Sequence, residues 1–334
     1  MRVLVTGGGG FLGSAIVRRL LARGNRVRVI GRRHYAALEG LGAEGVVSDL
    51  SVDDPTLVEA FEGVDAVIHT AAMAGIWGPR DAFYAINVDG TRRVLEATLQ
   101  AGVDRLVYTS SPSATFDGGS AEGVTEAEAP YPSRFQAVYP QTKAEAEALV
   151  LAADGERLST VAIRPHLIWG PGDPHILPRL IEKNRQGRLA VVGDGSNRVG
   201  ITFVENAAAA HLQALDALAP KAACAGKAYF VTDPEPVVLW DWIGALLADL
   251  GEPAIRRRVP LPVARGVGRV LEILWGVFGL SGEPPMTRFA ASQLGTSHYF
   301  DLSAARADFG LAPIVDAGAA WAVTLEDLRQ RYPR

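Results

Sequence analysis

Val3-Leu4-Val5-Thr6-Gly7-Gly8-Gly9-Gly10-Phe11-Leu12-Gly13 decides the fold. A short apolar run enters four consecutive glycines. Directly after them Leu12, Ala15, Ile16 and Leu20 recur at helical spacing. Glycines at 7, 10 and 13 permit a tight turn and let backbone N–H groups come close to a phosphate. The helix that follows points its partly positive end at the same place. In this strand–turn–helix setting the stretch reads as a pyrophosphate loop, with Gly7, Gly10, Phe11, Leu12 and Gly13 against a dinucleotide.

The same alternation continues outward. Strands are expected at 3–5, 26–30, 45–47, 66–69, 106–109 and 160–163, with helices at 11–23, 57–61, 83–99 and 139–152. The strands are apolar throughout, as in a sheet covered on both faces. Helices between strands imply right-handed crossovers. The expected class is α/β, a Rossmann-type doubly wound parallel sheet with a smaller C-terminal substrate lobe. Residues 1–165 would form the cofactor domain, with about 196–232 returning to it, and 166–334 mainly the lobe.

Composition narrows the function. Of 334 residues, 48% are hydrophobic and 21% charged, and the formal net charge is −4, which argues for a globular protein and against nucleic-acid binding. Cys224 is the single cysteine, so no internal disulfide forms. The six histidines show no metal-ligand spacing, and no metal is expected. No signal-peptide pattern opens the chain, and a cytoplasmic protein is expected. The apolar stretch 266–280 falls short of the roughly 20 residues that span a bilayer. It reads either as a lid or surface-seated helix, or as a packed helix of the lobe.

Two further segments carry chemistry. The second strand ends in Gly31-Arg32-Arg33, with no acid for a ribose 2′-hydroxyl and two guanidinium groups suited to a 2′-phosphate. This favours NADP(H), with NAD(H) as the second choice. Tyr139-Pro-Gln-Thr-Lys143 places a phenol and an ammonium on one helix face. The ammonium is expected to lower a phenol pKa that is ordinarily about 10. Ser110 and Ser111 follow the fifth strand, at the ligand edge of a parallel sheet, where one hydroxyl can hold a substrate oxygen.

Taken together, the chain resembles an extended short-chain dehydrogenase/reductase. The matching motifs are Thr6-Gly7-x-x-Gly10-x-x-Gly13, Asp49-Leu50, His69-Thr-Ala71-Ala72, Asn87-Val-Asp-Gly90-Thr91, Thr109-Ser110-Ser111, Tyr139-x-x-x-Lys143 and Arg164-Pro165. The resemblance implies catalysis by Tyr139, Lys143 and Ser111. It implies cofactor contacts from Asp49 and Leu50 at the adenine end, from Ala71, Ala72, Asn87 and Ser110, and from Pro165 beside the nicotinamide.

Within that family the chain resembles the 3β-hydroxysteroid dehydrogenase-like branch. It is similar above all to bacterial reductases that act on 2-alkyl-3-keto acids in olefinic hydrocarbon biosynthesis. The segments 164–173, 192–197, 222–230 and 287–289 carry this resemblance. A hydrophobic ketone or alcohol is the implied substrate, reduced to a 3-hydroxy acid. Apolar segments around Ile76-Trp77, Trp169 and 274–278 are candidate pocket walls, and His166, Arg179 and Arg288 candidate carboxylate partners. A steroid or sterol dehydrogenase, a nucleotide-sugar epimerase and a non-catalytic NADP sensor are the alternatives. The resemblance also implies a homodimer through helices 83–99 and 141–152, and leaves room for peripheral membrane or pathway-enzyme contact.

Overall fold

Seven parallel strands form the central sheet of the computed structural model, which describes residues 1–333. Their order is Lys227–Val231, Ser159–Pro165, Arg105–Thr109, Ala66–His69, Arg2–Thr6, Arg26–Gly31 and Glu44–Val47. The chain begins mid-sheet and winds outward first to one side, then to the other. The order reverses between Arg2–Thr6 and Ala66–His69, which opens a crevice at the carboxyl ends of those strands.

Alternation along each strand feeds two cores. Val3, Val5, Val27, Val29, Ile68 and Val161 face one side, under the helices Phe11–Ala22 and Val204–Ala217. Leu4, Ile30, Val67, Leu106 and Ala162 face the other, under Gly90–Gln100 and Val138–Ala152. The strand Lys227–Val231 joins the sheet late, with Tyr229 opposite Ile163.

The helix expected at 83–99 differs in detail. It runs from Arg80 to Gln100 but passes through a π-turn at Tyr84–Asp89. Such turns insert a residue and re-aim side chains, often at functional sites. Here the turn aims Asn87 inward. A second small sheet built from Ala121–Val124, Arg198–Val199, Val237–Val238 and His298–Phe300 lies outside the sequence expectation. Its strands are too short to show a period.

Trp169 is corrected by the fold. It packs edge-on against Phe203, Trp242 and Trp321, with ring centroids 5.2–6.2 Å apart. It is buried in the same core as Val3, Val5 and Phe203 rather than standing free as a pocket wall. Among the described residues, no helix is long and apolar enough to cross a membrane.

Four histidines are buried and held neutral. Burial lowers His69 to about 3, between the hydroxyls of Thr6 and Thr91, and His211 to about 4, against Thr109 and the Ala207 carbonyl. His166 and His298 bond one another at 2.6 Å, and both fall below the ordinary range. An unfolded histidine takes up a proton below about pH 6.5, while these folded ones do not until far lower. Stability therefore falls as pH drops from 6.5 toward 4, by up to about 1.4 kcal/mol per pH unit for each group. Urea midpoints measured between pH 7 and 5 should fall, and His211→Gln should flatten that fall. An unchanged slope in the variant would remove His211 from this account.

Candidate functional site

The crevice forms a cleft of about 410 Å³ lined by Gly7, Gly10, Arg32, Asp49, Leu50, Ala71 and Ala72, all of them sequence candidates. Gly7 has φ of +68°, and a Cβ there would sit 2.7 Å from the Ala71 backbone. A Cβ on Gly13 would overlap the Gly7 carbonyl, so neither position takes a side chain. The helix Phe11–Ala22 starts at Gly10 with no side-chain cap, which leaves its first N–H groups for an anion. A glycine cradle, an uncapped helix start and a nucleoside-sized cleft fit a dinucleotide.

Asp49 accepts bonds from the Ser51 backbone and hydroxyl at 2.9 and 2.7 Å, which hold its carboxyl below the usual range. The two arginines part company. Arg32 lines the cleft, whereas Arg33 lies over the Tyr35 ring in a neighbouring surface pocket with Arg18 and His34. Tyr35 itself packs over Gly9 and Gly31 and closes one wall of the cleft. Nothing in its local sequence marks that role.

Tyr139 and Lys143 sit in the first turns of the helix Val138–Ala152, where Pro140 costs no hydrogen bond. Burial raises the Tyr139 phenol above its ordinary pKa, and a bond from Ser111 partly offsets this. Ser111 accepts from the Ser113 N–H and hydroxyl, at 3.2 and 2.9 Å, so its own proton is the one that reaches Tyr139. Lys143 donates to the Tyr108 hydroxyl at 2.7 Å and the Thr109 carbonyl at 2.6 Å. Burial brings its pKa down to about 7. The expected lowering of the tyrosine by the lysine is therefore not what the geometry gives. The ammonium is engaged by the strand Arg105–Thr109, and desolvation dominates both groups.

Two further candidates change role. The Asn87 amide oxygen accepts from Met73 N–H at 2.7 Å, and its nitrogen donates to the Met73 carbonyl and the Thr142 hydroxyl. It ties the cleft loop to the turn carrying Tyr139, and its polar atoms are fully used. Ser110 is buried, close enough to Glu147 to help lower its carboxyl pKa. Pro165 ends the buried strand Ser159–Pro165. Beneath Lys143 lies an ion pair that sequence reading missed. Arg164 grips Glu147 through Nε and Nη2 at 2.9 and 2.6 Å, and the Tyr131 hydroxyl adds a third bond at 2.6 Å.

A second cavity, about 600 Å³, opens beside this turn. Ala137, Val138 and Gln141 flank Tyr139 on its wall, with Ile76, Trp77, Phe83, Phe135 and Ile273 opposite. Ile76, Trp77 and Arg288 line this cavity, whereas His166 is buried against His298. Arg288 is already bonded to Glu272 at 2.7 Å, and Arg179 to Glu283 at 3.1 Å. Arg269 lines the cavity and forms no ion pair or hydrogen bond among the described residues. A missing partner is a tertiary fact with no sequence signal.

Fold and site together define a nicotinamide-dinucleotide oxidoreductase. Residues 4–263 match the 3-beta hydroxysteroid dehydrogenase/isomerase family, and the chain belongs to it. It is 48% identical to the 2-alkyl-3-oxoalkanoate reductase of Stenotrophomonas maltophilia, over 94% of this chain and 96% of that one. It is 44% identical to the protein of the same name from Shewanella oneidensis, over 93% and 82%. Among solved structures it is similar to MoeE5 in complex with UDP-glucose and NAD, with TM-score 0.74, 26% identity and 99% of each chain covered.

Proposed function

We propose that the chain reduces a hydrophobic 3-keto acid, a 2-alkyl-3-oxoalkanoate, to the 3-hydroxy acid with NADPH. One observation carries the substrate reading. The cavity beside Tyr139, where Ile76, Trp77, Phe83, Phe135 and Ile273 stand among polar side chains, holds one guanidinium, Arg269, that no side chain engages among the described residues. Apolar walls suit alkyl chains, and an unpaired arginine suits a carboxylate. The names of the two bacterial relatives point the same way. NADPH is favoured because Arg32 lines the cleft and the strand Arg26–Gly31 ends without an acid.

In this reading Gly7, Gly10 and Arg32 would hold a nicotinamide dinucleotide, which when bound would supply the hydride for reduction of the carbonyl. Tyr139, kept protonated by burial, gives its proton to the carbonyl oxygen. Ser111 bonds the phenol oxygen and stabilises the phenolate left behind, which regains a proton from solvent. Lys143 holds the catalytic helix to the strand edge through Tyr108 and Thr109.

Loss of reduced-cofactor absorbance would be followed against a long-chain 2-alkyl-3-keto acid, a 3-ketosteroid and a nucleotide-activated keto-sugar. Turnover of the acid, faster with NADPH than NADH, is expected. Arg269→Gln should raise KM for the acid about tenfold or more, with little change for its methyl ester. Turnover of the steroid or sugar alone would discard the substrate. Tight NADP binding with no turnover at all would discard the reductase.

A further inference from the structure

Helix Leu261–Phe278 is amphipathic the wrong way round for a packed helix. Ala264 and Gly268 are its buried positions, and Gly268 sits against the backbone of Thr287 and Arg288. Its apolar stripe, Val263, Val267, Val270, Leu274, Val277 and Phe278, points to solvent, with Val277 and Phe278 73% and 69% exposed, so the segment 274–278 does not form the pocket wall expected of it. Eight of the fifteen exposed large hydrophobic side chains among the described residues fall between 263 and 280. Burying this stripe would be favourable, and the fold leaves it uncovered.

Charge selects the occupant. Residues 256–280 carry five arginines against the single acid Glu272, a formal +4 in a chain of −4. Arg256, Arg257 and Arg258 are exposed just ahead of the helix, and Glu272 is occupied by Arg288. Apolar side chains next to clustered arginines match an anionic bilayer surface, where the stripe enters the acyl boundary and arginines meet phosphate. At about 27 Å the helix is long enough to lie flat on such a surface.

We propose that Leu261–Phe278 seats this protein on an anionic lipid surface through that stripe. Arg269, Glu272 and Ile273, on another flank of the same helix, line the substrate cavity. The seat therefore puts the cavity beside the lipid. A long alkyl chain would then pass between them without crossing water, a consequence that rests on the substrate reading above. The seat itself does not rest on it.

The test is flotation of the whole protein with vesicles of phosphatidylcholine containing about a quarter phosphatidylglycerol, and with phosphatidylcholine alone. Recovery with the anionic vesicles should exceed that with the neutral ones, and added salt should reduce it. The exposed pair Val270→Asp and Val277→Asp should lower recovery by about tenfold or more. Cofactor binding and turnover of a short, water-soluble ketone should stay unchanged in that variant. A nitroxide on Val277→Cys, with Cys224 buried, gives a reading that does not depend on the aspartate variant folding. It should become inaccessible to aqueous quenchers when anionic vesicles are added. Wild-type protein left wholly unbound at low salt overturns the proposal, as does recovery indifferent to the aspartates. A dimer that these aspartates dissociate also overturns it, because the stripe would then be covered by a second copy. None of these readouts uses the long-chain acid, so failure here is separate from failure of the substrate reading.

Discussion

Replacing Tyr139 with phenylalanine is expected to cut turnover by at least about 10²-fold, the scale of a lost general acid. The ring stays, so the packing that buries it stays. Only the hydroxyl goes, and with it the acceptor for the Ser111 proton. Cofactor affinity should hold within about threefold, because the cleft lined by Gly7, Gly10 and Arg32 is built without Tyr139. Stopped-flow turnover and cofactor titration of the same preparation separate the two quantities. The wild-type phenol is raised above its ordinary range, so the proton is available throughout neutral pH in the direction of reduction. A variant with near-normal kcat would take the proton-donor role away from Tyr139.

Breaking the ion pair under the catalytic helix should be the largest effect on stability. In Arg164→Met the carboxylate of Glu147, with no exposed surface, loses both guanidinium bonds and keeps the Tyr131 hydroxyl and Ser110 beside it, with the Lys143 ammonium one turn away. An uncompensated buried charge of this kind costs about 3–5 kcal/mol. The guanidinium also lies 5.0 Å from the Phe230 ring, a contact that methionine replaces in part. The double variant Glu147→Leu with Arg164→Met removes both charges. It should recover most of the loss, since a buried pair exchanged for apolar side chains is often neutral or better. Urea unfolding of both variants decides it. Equal destabilisation of the single and double variants would mean that packing, not charge, sets the cost. Lys143 gives a second readout. Glu147 one turn away raises its pKa, so removing that carboxylate should push the lysine below about 7.

Much of this molecule is written in local patterns. Gly13 is required by the Gly7 carbonyl six residues away, and Gly7 by its own positive φ, so the loop was legible where it stood. The parallel sheet followed from apolar runs separated by helices, and Tyr139 and Lys143 share a face because four residues make about one turn. Asp49, Leu50, Ala71 and Ala72 reached the cleft because each ends a strand or follows one.

What the sequence left open depends on where distant segments meet. His166 and Trp169 follow the same strand edge as the catalytic groups. Yet His298, 132 residues away, takes the first into a buried pair, and Trp242 and Trp321 take the second into an aromatic cluster. Arg288 and Arg269 both line the cavity, and only the fold pairs one with Glu272 and leaves the other without a partner among the described residues. Lys143 carries the expected charge, but its partners lie on a strand 34 residues earlier, and burial rather than attraction sets its proton affinity. The sequence by itself determined the cofactor loop, the doubly wound sheet and the Tyr139/Lys143 pair, because backbone geometry and helical spacing act over a few residues. The tertiary structure alone decided which arginine of the cavity is left unpaired, what Lys143 and Asn87 hold, and that the helix Leu261–Phe278 turns its apolar side outward, because burial and partnership belong to segments that only folding brings together.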